Sequence, residues 1–224
     1  MADFLELKME GWTATPRQPF ILSGNAICMA TPSYSLLLGL IGCCLGRIVT
    51  KEEVGIGFYY EFDIAANDLE KRQRLIFDGK NIKTHGKGGD AYLREFHIKP
   101  KLTLWLNRLD WEEYFHFPVG TPSLGRSQDL LEIKKKSIRK ISAKNVNTAK
   151  ISGCMLPFEQ GIQAGGQLVQ LAEAYHENDE VGDGRRATNS KIFISIPSDN
   201  EGKISFRNLY ETEAGQNFYF HNWD

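Results

Sequence analysis

The sequence predicts an α+β protein: a sheet, one apolar helix near the start, and a long basic hairpin inserted after the second strand. Three observations predict it. Residues Phe4–Met9 and Val54–Phe62 alternate large apolar side chains with polar or small ones, the two-residue period of a half-buried strand. Between them, Pro32–Gly46 is an oily run of helical length. After them, two arms rich in Lys, Arg and aromatic residues flank a stretch too polar and too rich in glycine to enter a core.

The elements follow in chain order. "FLELKM" sets Leu5, Leu7 and Met9 against Glu6 and Lys8. Gly11–Pro32 reads as a long loop that holds Arg17 and Ser23. Ser33, just after Pro32, is placed to cap a helix. In that helix Ser35, Gly39, Gly42 and Gly46 fall on one side, with Leu36, Leu37, Leu40, Ile41 and Cys44 on the other. Each glycine costs about 1 kcal/mol against alanine, so the small stripe should receive something that comes close to the helix backbone. A neighbouring strand is the expectation, and a nucleic-acid backbone is the rival.

In the second strand Val54, Ile56, Phe58, Tyr60 and Phe62 share one face, with Gly55 and Gly57 opposite. The hairpin arms are read as Lys71–Phe77 and Tyr92–Ile98, around a loop at Asp78–Asp90. "KLTLWL" returns to the sheet. Trp111, Tyr114 and Phe115 have helical spacing, and Pro118 ends any helix there. "LLEIKKKSIRKI" and "IQAGGQLVQLAEAY" fit helix or strand equally, and "HENDEVGDGRRATN" reads as an acid-rich loop. "KIFISI", "KISF" and "QNFYFHNW" read as closing strands. Phe4, Trp12, Phe20, Trp111 and Trp223 fit either a core or a partner-facing surface.

Charge is unevenly placed. The net formal charge is −1, yet Leu69–Lys101 carries nine basic and four acidic residues and Glu132–Lys150 carries seven and one. Those two segments hold +11, leaving −12 for the rest. Such asymmetry points to a polyanion partner. In the hairpin, Arg72, Arg74, Lys83, Lys87 and Arg94 are the phosphate candidates, and Tyr92 can stack on a base. Arg17, Arg47 and Lys134 add positive charge nearby in sequence. Phe77 and Phe96 are read as packing at the hairpin base.

No phosphate loop, dinucleotide fingerprint, zinc-protease helix or nucleophile elbow is present, so no catalytic residue is assigned. The four cysteines lack metal-ligand spacing and the five histidines stand far apart, so no metal or cofactor is expected. His85, among lysines, is the one residue placed to act as a general base in RNA cleavage; simple phosphate contact is the preferred role. The longest apolar run is too short to cross a membrane, and the acidic start lacks the basic region of a signal peptide. A cytoplasmic location is expected.

The chain resembles the Cas-five family of CRISPR-associated proteins, in its type I-B-like branch. The resemblance is carried by "PSYSLLLGLIGCCLG", by the insert "KRQRLIFDGKNIKTHGKGGDAYLREF", by "KPKLTLWL" and by "SLGRSQDLLEI", together spanning Ala2 to about Ile133. It implies a ferredoxin-like, RRM/RAMP-type core as a single domain over residues 1–224. A β-hairpin thumb would occupy residues 67–98, and residues 134–224 would form a variable, β-rich C-terminal part. It also implies a non-catalytic subunit of Cascade that binds the 5′ handle of the crRNA and caps the backbone. Its neighbours would be a Cas-seven backbone subunit and the large Cas-eight subunit, and target DNA would be met only through the complex. Ser35, the thumb residues, Gly125, Arg126 and Ser127 become the handle-contact residues by match to the family's motifs. One branch, type I-C, cuts pre-crRNA with a Tyr and an adjacent Lys-His pair. This sequence contains no Lys-His dipeptide, which leaves a metal-independent endoribonuclease as the alternative function.

Overall fold

The computed structural model describes residues 1–19, 24–159, 162–177 and 185–223; Phe20, Ser23 and the acid-rich residues 178–184 lie outside them. The first half runs β1 (Ala2–Gly11), β2 (Thr13–Ala14), β3 (Asn25–Ala26), α1 (Tyr34–Leu45), β4 (Ile56–Glu61), β5 (Ile64–Phe77), β6 (Ile82–Ile98) and β7 (Lys101–Leu106). It continues with α2 (Glu112–His116), β8 (Leu131–Ile133), β9 (Arg139–Ile151), β10 (Cys154–Pro157), β11 (Gln167–Ala172), β12 (Tyr175–Glu177), β13 (Arg185–Ala187), β14 (Ser190–Ile196), β15 (Gly202–Thr212) and β16 (Asn217–His221).

Strands β7, β4, β16, β15, β9 and β1 lie side by side, all antiparallel, and β1 pairs with β7 to close a six-stranded barrel. This overturns the ferredoxin-like α+β expectation: strands make up 55% of the structure and helices 11%. The ambiguous segments decided the matter. "LLEIKKKSIRKI" and "IQAGGQLVQLAEAY" became β8, β9 and β11, so the second half supplies barrel and sheet strands where the expected fold needs a packing helix.

The alternation seen in the sequence sorts side chains across the barrel wall. Leu5, Leu7, Met9, Ile56, Phe58, Tyr60, Leu102, Leu104 and Leu106 lie in one core cluster with the apolar face of α1 and with β10, β11 and β14. The opposite wall face holds Phe4, Trp105, Ala143, Phe218 and Phe220, which fill the barrel. Trp105 stacks on Phe218 at 4.2 Å. Gly57 is required there: a Cβ would stand 2.6 Å from the Phe218 ring. Glu6, also buried, accepts from the Trp105 indole at 3.0 Å and pairs with Arg139 at 2.7 Å.

Helix α1 is capped as read. The Ser33 hydroxyl accepts from the Leu36 amide at 3.2 Å, and Gly46 closes the helix at φ 69°. Among the described residues no strand packs directly on the glycines of the small stripe. The backbone oxygen of Arg47 lies over Gly42, Val119 covers Gly46, and Gly39 is open to solvent. The remaining stripe lines an open groove of about 430 Å³ with Ser35, Cys43, Ile48 and Tyr175. Helix α2 ends before Pro118 and buries Trp111 and Phe115 beside it.

Strands β5 and β6 form one hairpin longer than read. The turn is Asp78–Asn81, and residues 82–84 and 89–90, expected as loop, are paired strand. Near its root β6 also pairs with β2 and β3. Farther out only two strands remain. Their register breaks once: Gln73 faces Gly89 and Leu75 faces Thr84, so Arg74 alone stands against four residues, 85–88.

Candidate nucleic-acid interface

The turn at residues 123–130 is built around one buried carboxylate. Asp129, wholly inaccessible, accepts from the Thr13 hydroxyl at 2.7 Å and from the Thr15 hydroxyl. It also accepts from the Arg126 amide at 2.9 Å and from two nitrogens of the Arg126 guanidinium, Nε at 3.1 Å and Nη2 at 2.9 Å. Burial by itself would raise the Asp129 pKa, but these donors outweigh it and hold the carboxyl below its ordinary value. Gly125, at φ 119°, lets the turn press onto Thr15, whose carbonyl would lie 2.5 Å from any Cβ.

Arg126 links this turn to the hairpin. Its Nη1 donates to Glu70 on β5 at 3.1 Å, and its guanidinium lies 5.9 Å from the Phe96 ring on β6. Glu70 also receives two bonds from Arg94, at 2.6 and 3.0 Å, and these cations hold its carboxyl low. Arg72 lies 3.9 Å over the Tyr92 ring, with Arg94 at 5.4 Å from it. The LGRS turn and the thumb root, far apart in sequence, thus form one cluster of charged and aromatic side chains.

This packing decides which predicted residues face solvent. Tyr92 is 5% exposed and Arg94 8%. Arg72 covers the Tyr92 ring, so Tyr92 offers no face to a base, and Arg94 is spent on Glu70. Arg126 is half-buried and tied at both ends, which makes it a pin between turn and hairpin. Phe77 is not at the hairpin base: it faces Ile82 beside the turn and is exposed. Lys83 pairs with Asp78 at 2.6 Å, and Arg74 pairs with Asp90. The His85 Nδ1 accepts from the Lys87 amide at 3.0 Å within the register break. Among the described residues Lys71, Lys80 and Lys87 make no ion pair and Arg72 touches no carboxylate.

The second basic segment is not a bare polycation. Lys134 pairs with Glu10 and Glu132, Arg139 with Glu6, Lys140 with Glu112 and Lys150 with Glu201. Four of its seven cations are matched by acids, and four of the five acids lie outside the segment, which linear charge counting does not register. Arg47 pairs with Glu53 at 2.7 Å, and the Ser35 hydroxyl bonds that of Ser33 at 3.0 Å; both line the α1 groove. Arg17 sits in the loop that bridges to Cys28, whose amide donates to Glu95 on β6. Ser127 is exposed in the LGRS turn. Sequence reasoning passed over Glu70 and Asp129, the two carboxylates on which the cluster turns. Asp129, three residues after Arg126, was the available signal.

The chain shares its fold with solved CRISPR proteins. A chain of a CRISPR RNA-guided surveillance complex superposes with a TM-score of 0.54 at 9% identity, covering 91% of each chain. A CRISPR protein from Archaeoglobus fulgidus matches at 0.50 and 11% identity over 98% of this chain and 99% of its own. A chain of the type III-B Cmr-beta complex, determined with cognate target RNA and AMPPnP, matches at 0.52 and 6% identity over 91% and 86%. No family model and no curated protein matches the sequence. Among the described residues no helix is long and apolar enough to cross a membrane, and no three His, Cys, Asp or Glu side chains gather to hold a metal.

Proposed function

We propose that this protein is a non-catalytic crRNA-binding subunit of a type I CRISPR surveillance complex. In this reading it holds the 5′ handle and caps the backbone between a Cas-seven subunit and the large Cas-eight subunit. The supporting observation is the conjunction of a fold shared along most of the chain with a chain of a CRISPR RNA-guided surveillance complex and a projecting hairpin whose Lys71, Arg72, Lys80 and Lys87 have no carboxylate partner among the described residues. Arg126 and Arg94 serve this interface indirectly, by fixing the hairpin root to the LGRS turn.

Binding is measured with repeat-derived single-stranded RNA across a salt series. Four phosphates neutralised by those four cations give a slope of roughly −3 in log affinity against log salt. Arg72→Glu or Lys87→Glu flattens the slope, whereas Lys150→Glu, on β9 of the barrel and paired with Glu201 in the parent, leaves it unchanged. Equal affinity for all variants refutes the assignment. The same RNA incubated with EDTA stays intact; a specific cut lost in His85→Ala establishes the nuclease instead.

A further inference from the structure

Trp12 differs from the other tryptophans of the chain. Trp105 donates to Glu6 and stacks on Phe218, Trp111 lies beneath Arg108 at 4.4 Å, and Trp223 donates to the Val54 carbonyl at 2.6 Å. Trp12 is 82% exposed and, among the described residues, its indole has no hydrogen bond, ring or cation partner. Its backbone is nevertheless held firmly. The Trp12 carbonyl accepts from the Lys99 amide at 2.9 Å, the Gly11 amide donates to the Pro100 carbonyl at 3.0 Å, and Thr13 pairs with Ile98. The indole is therefore presented on a fixed mount at the root of the hairpin, where β6 ends.

Beside it lies a cleft of about 520 Å³, a volume usual for small-ligand sites. Its floor is apolar: Pro100, Leu130 and Leu131. Gly11 allows this floor to close up, since a Cβ there would meet the Leu130 carbonyl at 2.6 Å. Its rim carries donors and acceptors together, with Lys99 and Lys134 beside Glu10 and Glu132. The rim charges form exposed ion pairs, Lys134 with Glu10 at 3.2 Å and with Glu132 at 2.9 Å. Exposed pairs of this kind are weak and exchange readily for a ligand's polar edge. A flat apolar face with a mixed donor and acceptor edge is the description of a nucleobase. Lys101 also lines the cleft, and every lining cation is already paired, Lys99 with Asp63, Lys101 with Glu61 and Lys134 with Glu10 and Glu132, which leaves the phosphates to the hairpin cations.

We infer that Trp12 is a stacking platform for one unpaired nucleobase of the strand the hairpin binds, with Glu10 or Glu132 accepting from the base's exocyclic amine. This rests on the RNA-binding reading above. Carboxylate acceptors favour an amino-bearing base, as they do with cytosine in duplex readout, so cytosine-rich RNA should be preferred to uracil-rich RNA.

The test uses short cytosine and uracil RNA homopolymers on the whole protein, read by binding and by tryptophan emission, in which Trp12 supplies the solvent-accessible signal. The inference expects quenching of that signal by the cytosine polymer and about tenfold weaker binding for Trp12→Ala, with Trp12→Phe within about threefold of the parent. If the parent binds RNA through the hairpin while Trp12→Ala binds equally and Trp12 stays unquenched, the inference fails and the RNA-binding reading stands. If the parent binds neither polymer nor repeat RNA, both fail. If Trp12 emission responds only when a partner protein is added, the cleft is a socket for an apolar side chain and the base platform is refuted.

Discussion

Replacing Asp129 by Asn tests whether one buried carboxylate organises the LGRS turn. The side chain keeps its shape but loses its charge, and its amide nitrogen is turned toward groups that themselves donate. In the parent those are the Thr13 and Thr15 hydroxyls and three nitrogens of Arg126. Stripping the partner from a buried charge costs about 3–5 kcal/mol. Arg126 keeps its bond to Glu70, so the lower end applies, about 3 kcal/mol. For a chain of this size that lowers the melting temperature by about 6–12 °C, measured by circular dichroism at neutral pH. Because the folded Asp129 carboxyl sits below its ordinary value, its contribution is whole above the unfolded value, about 3.9, and drains away as pH falls through the lower folded value. The gap between parent and Asp129→Asn must therefore narrow in strong acid. A variant within about 0.5 kcal/mol of the parent at pH 7 refutes the turn's dependence on this group, since that is the scatter of ordinary surface changes.

Two further outcomes follow from the fold. Burial pushes the His97 imidazole down to about 4, with its Nδ1 2.8 Å from the Tyr60 hydroxyl and its ring stacked on Phe62. Neutral His97 therefore supports the fold fully above the unfolded value, about 6.5. That support falls by up to about 1.4 kcal/mol per unit as pH drops toward 4. His97→Gln removes this slope from urea titrations run across the window, and an unchanged slope means another group is responsible. Gly57→Ala drives a methyl into the Phe218 ring and should cost about 1–3 kcal/mol by overpacking. Pairing it with Phe218→Leu should recover part of the loss, and two purely additive losses would count against the contact.

The sequence disclosed what short-range physics controls. Period-two alternation located Leu5, Leu7 and Met9, and Ile56, Phe58 and Tyr60, because those strands have an apolar and a contrasting face. Ser33 marked the α1 start and Pro118 the limit of α2, because capping and the missing amide of proline act over one turn. Barrel closure was hidden. It depends on β1 pairing with β7 on one side and β9 on the other, and no local pattern records which strands meet. Lys135–Ile141 carries too few apolar residues to separate a period of 2 from one of 3.6, so helix and strand stayed equally open there until the structure showed β9. The site was half legible for the same reason. Basic residues on a hairpin can be counted, but Glu70 and Arg126 are 56 residues apart and meet only after folding.

The interrupted ladder at Arg74 gives the thumb a knuckle. Inboard of it, β6 is braced by β2 and β3 as well as β5; outboard, a bare two-stranded ribbon carries Lys80 and the exposed Phe77 and Ile82. Missing cross-strand bonds, together with Gly86 and Gly88 opposite a single arginine, make this the place where the ribbon yields most easily to a sideways load. The fingertip can thus swing to follow a curved strand while the knuckle's inner side, anchored through Glu70 and Arg126, stays put.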